Sequence, residues 1–215
     1  MSNMVEFAQA LNSKLCHEFA GTIGAINNCI SLINTKDEAI SLAAVELLNE
    51  NTKKLVNKLK LYRCAYSVAG EAGIIRHSEI IELSNQFLRS DTRKIKFDYT
   101  YTNSNSLPIN IGKLLLSLII EAYNDFIKEG AIKVTLYEDA NNRYSKICLK
   151  VTSKWLKIDR HKSSILSGQN IEHLLTVHNV NEYYISILAK QLNYQISIDI
   201  SSVKNNVIEY ILETI

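Results

Sequence analysis

Proline is almost absent from this chain of 215 residues, with Pro108 alone, and only seven glycines interrupt it. Few breakers mean long regular elements. Neither sign of charge dominates: 24 lysines and arginines face 22 aspartates and glutamates, a net charge of +2, so no global field points to nucleic acid or a membrane surface. Aromatic residues are not interleaved with a basic run, which argues against single-strand nucleic-acid binding. No window approaches the roughly 18 apolar residues of a membrane span, and the start, Met1 to Glu6, lacks a basic segment followed by an apolar one. The four cysteines (Cys16, Cys29, Cys64, Cys148) make no metal-ligand spacing and no disulfide framework, so they are expected as buried free thiols in a reducing, cytoplasmic compartment. At 47% hydrophobic content the chain has material for one domain or two small ones.

The first periodic segment covers residues 3 to 33. Leu11, Leu15, Phe19, Ile23, Ile26, Ile30 and Ile33 form an apolar stripe at helical spacing. Thr35-Lys36-Asp37-Glu38 has the spacing of a capping box and predicts a second helix, with Thr35 as its cap. Its stripe, Val45, Leu48, Thr52, Leu55, Leu59 and Tyr62, steps by three and four, as a bundle seam does. Two helices of roughly 30 residues, each about 45 Å long, cannot bury both stripes as a lone pair. A homodimer forming a four-helix bundle is the expected solution.

Gly70 to Gly73 reads as a linker, which divides the chain at 1–69 and 70–215. Beyond it, helical spacing marks Ser78 to Arg89, a run beginning at Leu114, and Tyr183 to Leu192 behind an Asn179-x-x-Glu182 capping box. Alternation marks strands at Ile95 to Tyr101, Ile132 to Tyr137, Ile147 to Val151, Ile196 to Ile200 and Val207 to Leu212. Pro108 is expected at the first position of the helix it precedes. The fold class is α+β, a helical hairpin followed by a mixed α/β domain.

His17 is the candidate for chemistry. It lies about 200° around the helix from Leu15, so its imidazole points outward. Cys16 beside it does not make a cysteine hydrolase, because neighbouring helical residues point about 100° apart. His173 and His178, five apart, form a poor metal pair, and His77 and His161 have no partner in view. No metal site is expected.

The pair His17-Glu18 in the first helix of a long hairpin resembles the phosphoacceptor box of two-component signalling proteins. With Phe19 and the run Gly24-Ala25-Ile26-Asn27-Asn28, it resembles more narrowly the ChpT-type histidine phosphotransferases of alphaproteobacteria. That resemblance implies that His17 accepts a phosphoryl group from an aspartyl phosphate and passes it to another aspartate. Glu18 would orient the ring or take its proton, and Phe19, Thr22, Asn27 and Asn28 would meet the partner. The partners implied are receiver domains of a hybrid kinase and of response regulators, which would supply Mg²⁺. Lys53, Lys54, Lys58 and Lys60 would then face an acidic receiver or plain solvent. Gly21 and Thr22 stand where the family pattern has serine and proline.

The second part resembles the ATPase domain of histidine kinases in degenerate form. In Leu115 to Ala122 the place of the magnesium-binding asparagine is taken by Glu121, which would add repulsion beside a triphosphate. Thr152 to Arg160 stands where an Asp-x-Gly-x-Gly loop would hold adenine, and Gly168 is the only glycine after Gly130. The expectation is therefore no ATP and no cofactor of its own. Two alternatives stay open: an ATP-dependent histidine kinase, and a dimeric scaffold that binds regulators without accepting phosphate.

Overall fold

Two long helices lead the chain, α1 (Ser2–Ile33) and α2 (Glu38–Tyr66), packed against each other as a hairpin. The computed structural model describes residues 2–67, 73–90, 92–102, 104–141, 143–157, 159–168, 175–200 and 206–215. Of the expected linker only Gly73 lies within the described residues, as does His178 but not His173. The hairpin turn is capped by Asp37, whose carboxylate accepts from the amides of Ala39 and Ile40, while the Thr35 hydroxyl donates to the Asp37 carbonyl. The cap is therefore Asp37 and not Thr35: aspartate satisfies two orphan amides directly.

The apolar stripes are covered only in part. Along α1, Leu15, Phe19, Ile26 and Ile33 are half-buried and Cys29 is buried, but Ile23 and Ile30 are about half exposed, at 53% and 50%. Along α2, Ala44, Leu61, Tyr62 and Ala65 are buried, while Val45 and Leu59 of the expected seam are exposed. One hairpin leaves a second apolar face open, because a helix pair can cover only the facing side of each stripe.

The α/β part begins at β1 (Ile74–Arg76) and α3 (His77–Arg89), then β2 (Ile95–Thr100), β3 (Ser106–Pro108) and α4 (Ile109–Asn124). It continues with β4 (Gly130–Glu138), β5 (Tyr144–Thr152), α5 (Arg160–Leu166), α6 (Val180–Gln191), β6 (Tyr194–Asp199) and β7 (Val207–Thr214). Five strands form one sheet in the order β2-β4-β5-β7-β6, parallel between β2 and β4 and antiparallel elsewhere; β1 and β3 pair separately. Pro108 closes β3 and caps α4 from outside, one place before the position expected of it.

Strand alternation sends one face to the core and one to solvent. Ile132, Val134 and Leu136 on β4, Ile147, Leu149 and Val151 on β5, and Ile208, Tyr210 and Leu212 on β7 are buried. The opposite face carries charge, with Lys146 to Glu213 at 2.6 Å and Lys150 to Glu209 at 2.8 Å. Over the apolar face lies α4, buried on every side from Gly112 to Ala122 between the sheet and helices α2, α3 and α6. Gly112 is required there: a Cβ would run into the Ile75 side chain. The hairpin docks onto this layer. Tyr62 is packed among Phe19, Tyr66 and Phe87, Phe7 meets Tyr183 and Tyr184, and the Tyr184 hydroxyl donates to the Ala65 carbonyl at 3.0 Å.

Candidate functional site

Helical geometry places His17, Ala20, Gly21, Gly24 and Asn28 one above another at steps of three and four, and all are exposed. Asn27 flanks the row and is exposed too. A side chain added at Gly21 or Gly24 would meet nothing within 4 Å. His17 thus opens a face that is almost bare for two turns and ends in two amide side chains. The glycine spacing was the available signal for that bareness. Cys16, also exposed, departs from the expectation of a buried thiol, whereas Cys29 is buried.

The other expected residues face the hairpin interior. Phe19 packs edge-on to Tyr62, with ring centroids 5.7 Å apart, so the partner-facing role expected of it does not match its placement. Thr22 is half-buried. Glu18 is bound not to the imidazole but to Lys58 of α2, whose ammonium donates to Glu18 Oε2 and, at 3.0 Å, to the Glu18 carbonyl. Lys58 therefore does not belong to the solvated lysine run expected of it. Its neighbours Lys53, Lys54 and Lys60 line a groove between α2 and α3 together with Asn57, Glu82 and Arg89.

The second location of interest is the buried end of α4. Lys162 on α5 reaches Glu121 Oε1 at 2.6 Å, Asp125 Oδ1 at 2.5 Å and the Tyr210 hydroxyl at 3.0 Å. Tyr210 donates to the other oxygen of Asp125, and Asn181 Nδ2 donates to Glu121 Oε2 at 2.7 Å. Tyr66 of the hairpin donates to Asn181 Oδ1 at 2.6 Å, tying α2 into the network. Glu182 Oε2 is buried without a hydrogen-bond partner among the described residues. Burial, with Glu121 nearby, pushes the Glu182 carboxyl up to about 8, and burial pushes Asp125 up to about 6 against the pull of Lys162. Burial opposes the charge on Lys162, but Glu121, Tyr210 and Asp125 outweigh it and hold the ammonium well above its ordinary range. Of the carboxylates around this cation, Glu182, with Oε2 unpaired among the described residues, is the one that burial pushes furthest toward its neutral form.

His77 was expected to lack a partner. It is buried, 2.8 Å from the Tyr99 hydroxyl and 3.2 Å from that of Tyr144, and stacked on Tyr101 at 4.0 Å. Burial lowers its pKa. A neutral imidazole serves there as a link between three tyrosines. Among the described residues no group of three or more His, Cys, Asp or Glu side chains could hold a metal ion, and no helix is long and apolar enough to cross a membrane.

Residues 77–203, more than half of the chain, match the family model of the histidine phosphotransferase C-terminal domain. The chain belongs to the histidine phosphotransferases. It is 24% identical over 196 residues to the protein phosphotransferase ChpT of Brucella abortus (strain 2308), covering 90% of each chain. Among solved structures, a bacterial phosphotransferase superposes with a TM-score of 0.82 at 23% identity, over 97% of this chain and 96% of that one. The histidine kinase domain of the blue-light-activated kinase EL346 from Erythrobacter litoralis is matched at a TM-score of 0.48 and 10% identity, over 91% and 94%. This histidine phosphotransferase therefore has the α+β fold, helical hairpin first, that its sequence predicts, and phosphotransfer is its class of activity.

Proposed function

We propose that His17 is the phosphate carrier of a phosphorelay, taking a phosphoryl group from the aspartate of one receiver domain and giving it to that of another. The observation that carries this reading is an exposed imidazole, without a hydrogen-bond partner among the described residues, at the head of a bare helical face. The unprotonated ring nitrogen attacks phosphorus; the N–P bond forms as the O–P bond of the aspartyl phosphate breaks, and the aspartate leaves as carboxylate. The proton on the other ring nitrogen passes to water, or to Glu18 when that carboxylate leaves Lys58. A visiting receiver brings the aspartate and the Mg²⁺, and its loops close over Gly21 and Gly24 while Asn27 and Asn28 meet its flank.

The working form is a homodimer, built on the hairpin of residues 1–69. Ile23 and Ile30 of α1 and Val45, Val56 and Leu59 of α2 are exposed, and a second copy would cover them in a four-helix bundle. Residues 70–215 form a degenerate ATPase-like domain that takes no nucleotide. Lys162 supports this: it meets Glu121 and Asp125 where a magnesium-bound triphosphate would have to be compensated. The cytoplasm, where receiver domains work, is the proposed location.

The test mixes the protein with a receiver phosphorylated at its aspartate. Acid-labile, alkali-stable phosphate mapped to the peptide containing His17 is the expected product. A complex with the receiver but no transferred phosphate would instead make this chain a scaffold.

A further inference from the structure

In the scheme above Glu18 acts only once it has left Lys58, and the grip of Lys58 on Glu18 itself is given no task. Lys58 is about two turns from the end of α2, its side chain 15% exposed, and its ammonium holds both the carboxylate and the backbone carbonyl of the residue that follows His17. Two bonds from one ammonium fix Glu18 toward α2. The exposed imidazole of His17 points about 100° away around the helix and has no carboxylate bonded to it among the described residues. Among the described residues, the titratable groups near this part of α1 besides Lys58 include Lys14 on the same helix, Tyr62 and Tyr66 on α2, and Glu182 at the start of α6, which interacts with Lys14.

Phosphohistidine makes this arrangement matter. Attack through the unprotonated nitrogen gives a ring that is phosphorylated on one nitrogen and protonated on the other. In that form the ring is a good leaving group; once the proton is lost, the N–P bond is much slower to break. A free carboxylate beside the ring favours the protonated, labile form, and its negative charge also opposes the phosphoryl group. An ammonium that binds that carboxylate removes both effects.

We propose that Lys58 is a positioning residue of the phosphotransfer site: by holding Glu18 against α2 it keeps the carboxylate off the His17 ring and lengthens the lifetime of the phosphohistidine. The inference rests on the proposed reading only in that His17 is the residue that takes up phosphate. It assigns Glu18 a restrained role in which Lys58 sets how much of the time the carboxylate is available.

The test loads full-length protein with phosphate chemically, using phosphoramidate as donor, and follows loss of phosphohistidine against pH with no receiver present. In Lys58→Met the decay profile moves to higher pH, and at neutral pH the lifetime shortens by roughly threefold to tenfold, the effect of half to one pH unit. Adding Glu18→Gln to Lys58→Met restores the wild-type profile, and Lys58→Arg retains it. An unchanged profile in Lys58→Met overturns the proposal, as does a double variant as labile as Lys58→Met, which would leave Lys58 a role in packing the hairpin only. The helical circular-dichroism signal of each variant separates a folding defect from the effect sought, and Lys58→Arg keeps the test open if Lys58→Met unfolds. Failure of a phosphorylated receiver to load His17, with the chemical profile shifting as stated, would sink the relay reading and leave this one standing. Failure of phosphoramidate to label His17 at all would overturn both.

Discussion

The hairpin and the α/β part of this protein handle charge in opposite ways. The hairpin keeps the interhelical ion pair of Lys58 with Glu18 partly exposed and leaves His17 open beside it. The α/β part takes Lys162, Glu121, Asp125 and Glu182 out of water and closes the first three into a network with Tyr210, Asn181 and Tyr66. A partly exposed pair costs less to separate than a buried one and can rearrange when a partner arrives. A buried cluster is costly to disturb and rearranges with difficulty. This contrast agrees with the proposal that puts the chemistry on the hairpin, with the α/β part as the body to which the hairpin is fastened.

The sharpest way to break this contrast is to remove the buried cation. Lys162→Met leaves Glu121 and Asp125 facing each other with no counter-charge, and we expect a loss of about 3–5 kcal/mol in denaturant unfolding of the α/β part. Adding Glu121→Gln should recover part of that loss. Survival of the single variant with unchanged stability would mean that the network is not a structural core. The corresponding change on the hairpin, loss of the less buried Lys58, should cost clearly less than loss of Lys162 in the same unfolding measurement.

A smaller effect follows from Glu182. Unfolded, its carboxyl titrates near 4.5; folded, burial raises it to about 8. Between those values the folded chain holds a proton that the unfolded chain has released, so stability is greatest below the lower value and falls as pH rises through the higher one. Asp125, raised to about 6, adds to the same trend. We expect roughly 1–3 kcal/mol less stability at about pH 8 than at about pH 5, with Glu182→Gln flattening much of that slope in thermal melts at several pH values.

The smallest change sharpens the contrast from the hairpin side. Gly24→Ala places a methyl in open space and removes a flexible residue from a helix, so the hairpin should gain roughly 0.5–1 kcal/mol. Gly24→Leu should gain similar stability yet slow transfer from a receiver, because the bare face is filled. Equal transfer rates in both variants would show that the partner docks elsewhere.

How much of this was legible in the sequence differs between the same two regions. Both long helices were readable from their stripes, and so was the outward direction of His17, since one helical wheel fixes it. Ile23, Ile30, Val45 and Leu59 read as seam positions but lie on a side that one hairpin cannot cover. The five strands of the main sheet showed through alternation; β1 and β3, three residues each, are too short to display any period. The helix α5 escaped because it is short and polar, and with it went Lys162, whose partners Glu121 and Asp125 lie on α4 far back along the chain. Glu121 was read as a carboxylate out of place beside a nucleotide, while its actual partner, Lys162, depended on tertiary packing. The same holds for Glu18, whose hold on Lys58 is set by the register between α1 and α2.

Phosphate incorporation from two donors tests the central claim most directly: labelled ATP with Mg²⁺, and a labelled receiver aspartyl phosphate, each offered to the wild type and to His17→Ala. The account predicts label on wild-type His17 from the receiver, none from ATP, and none in His17→Ala with helicity unchanged. Label on His17 from ATP, or receiver-derived label that survives in His17→Ala, would contradict it.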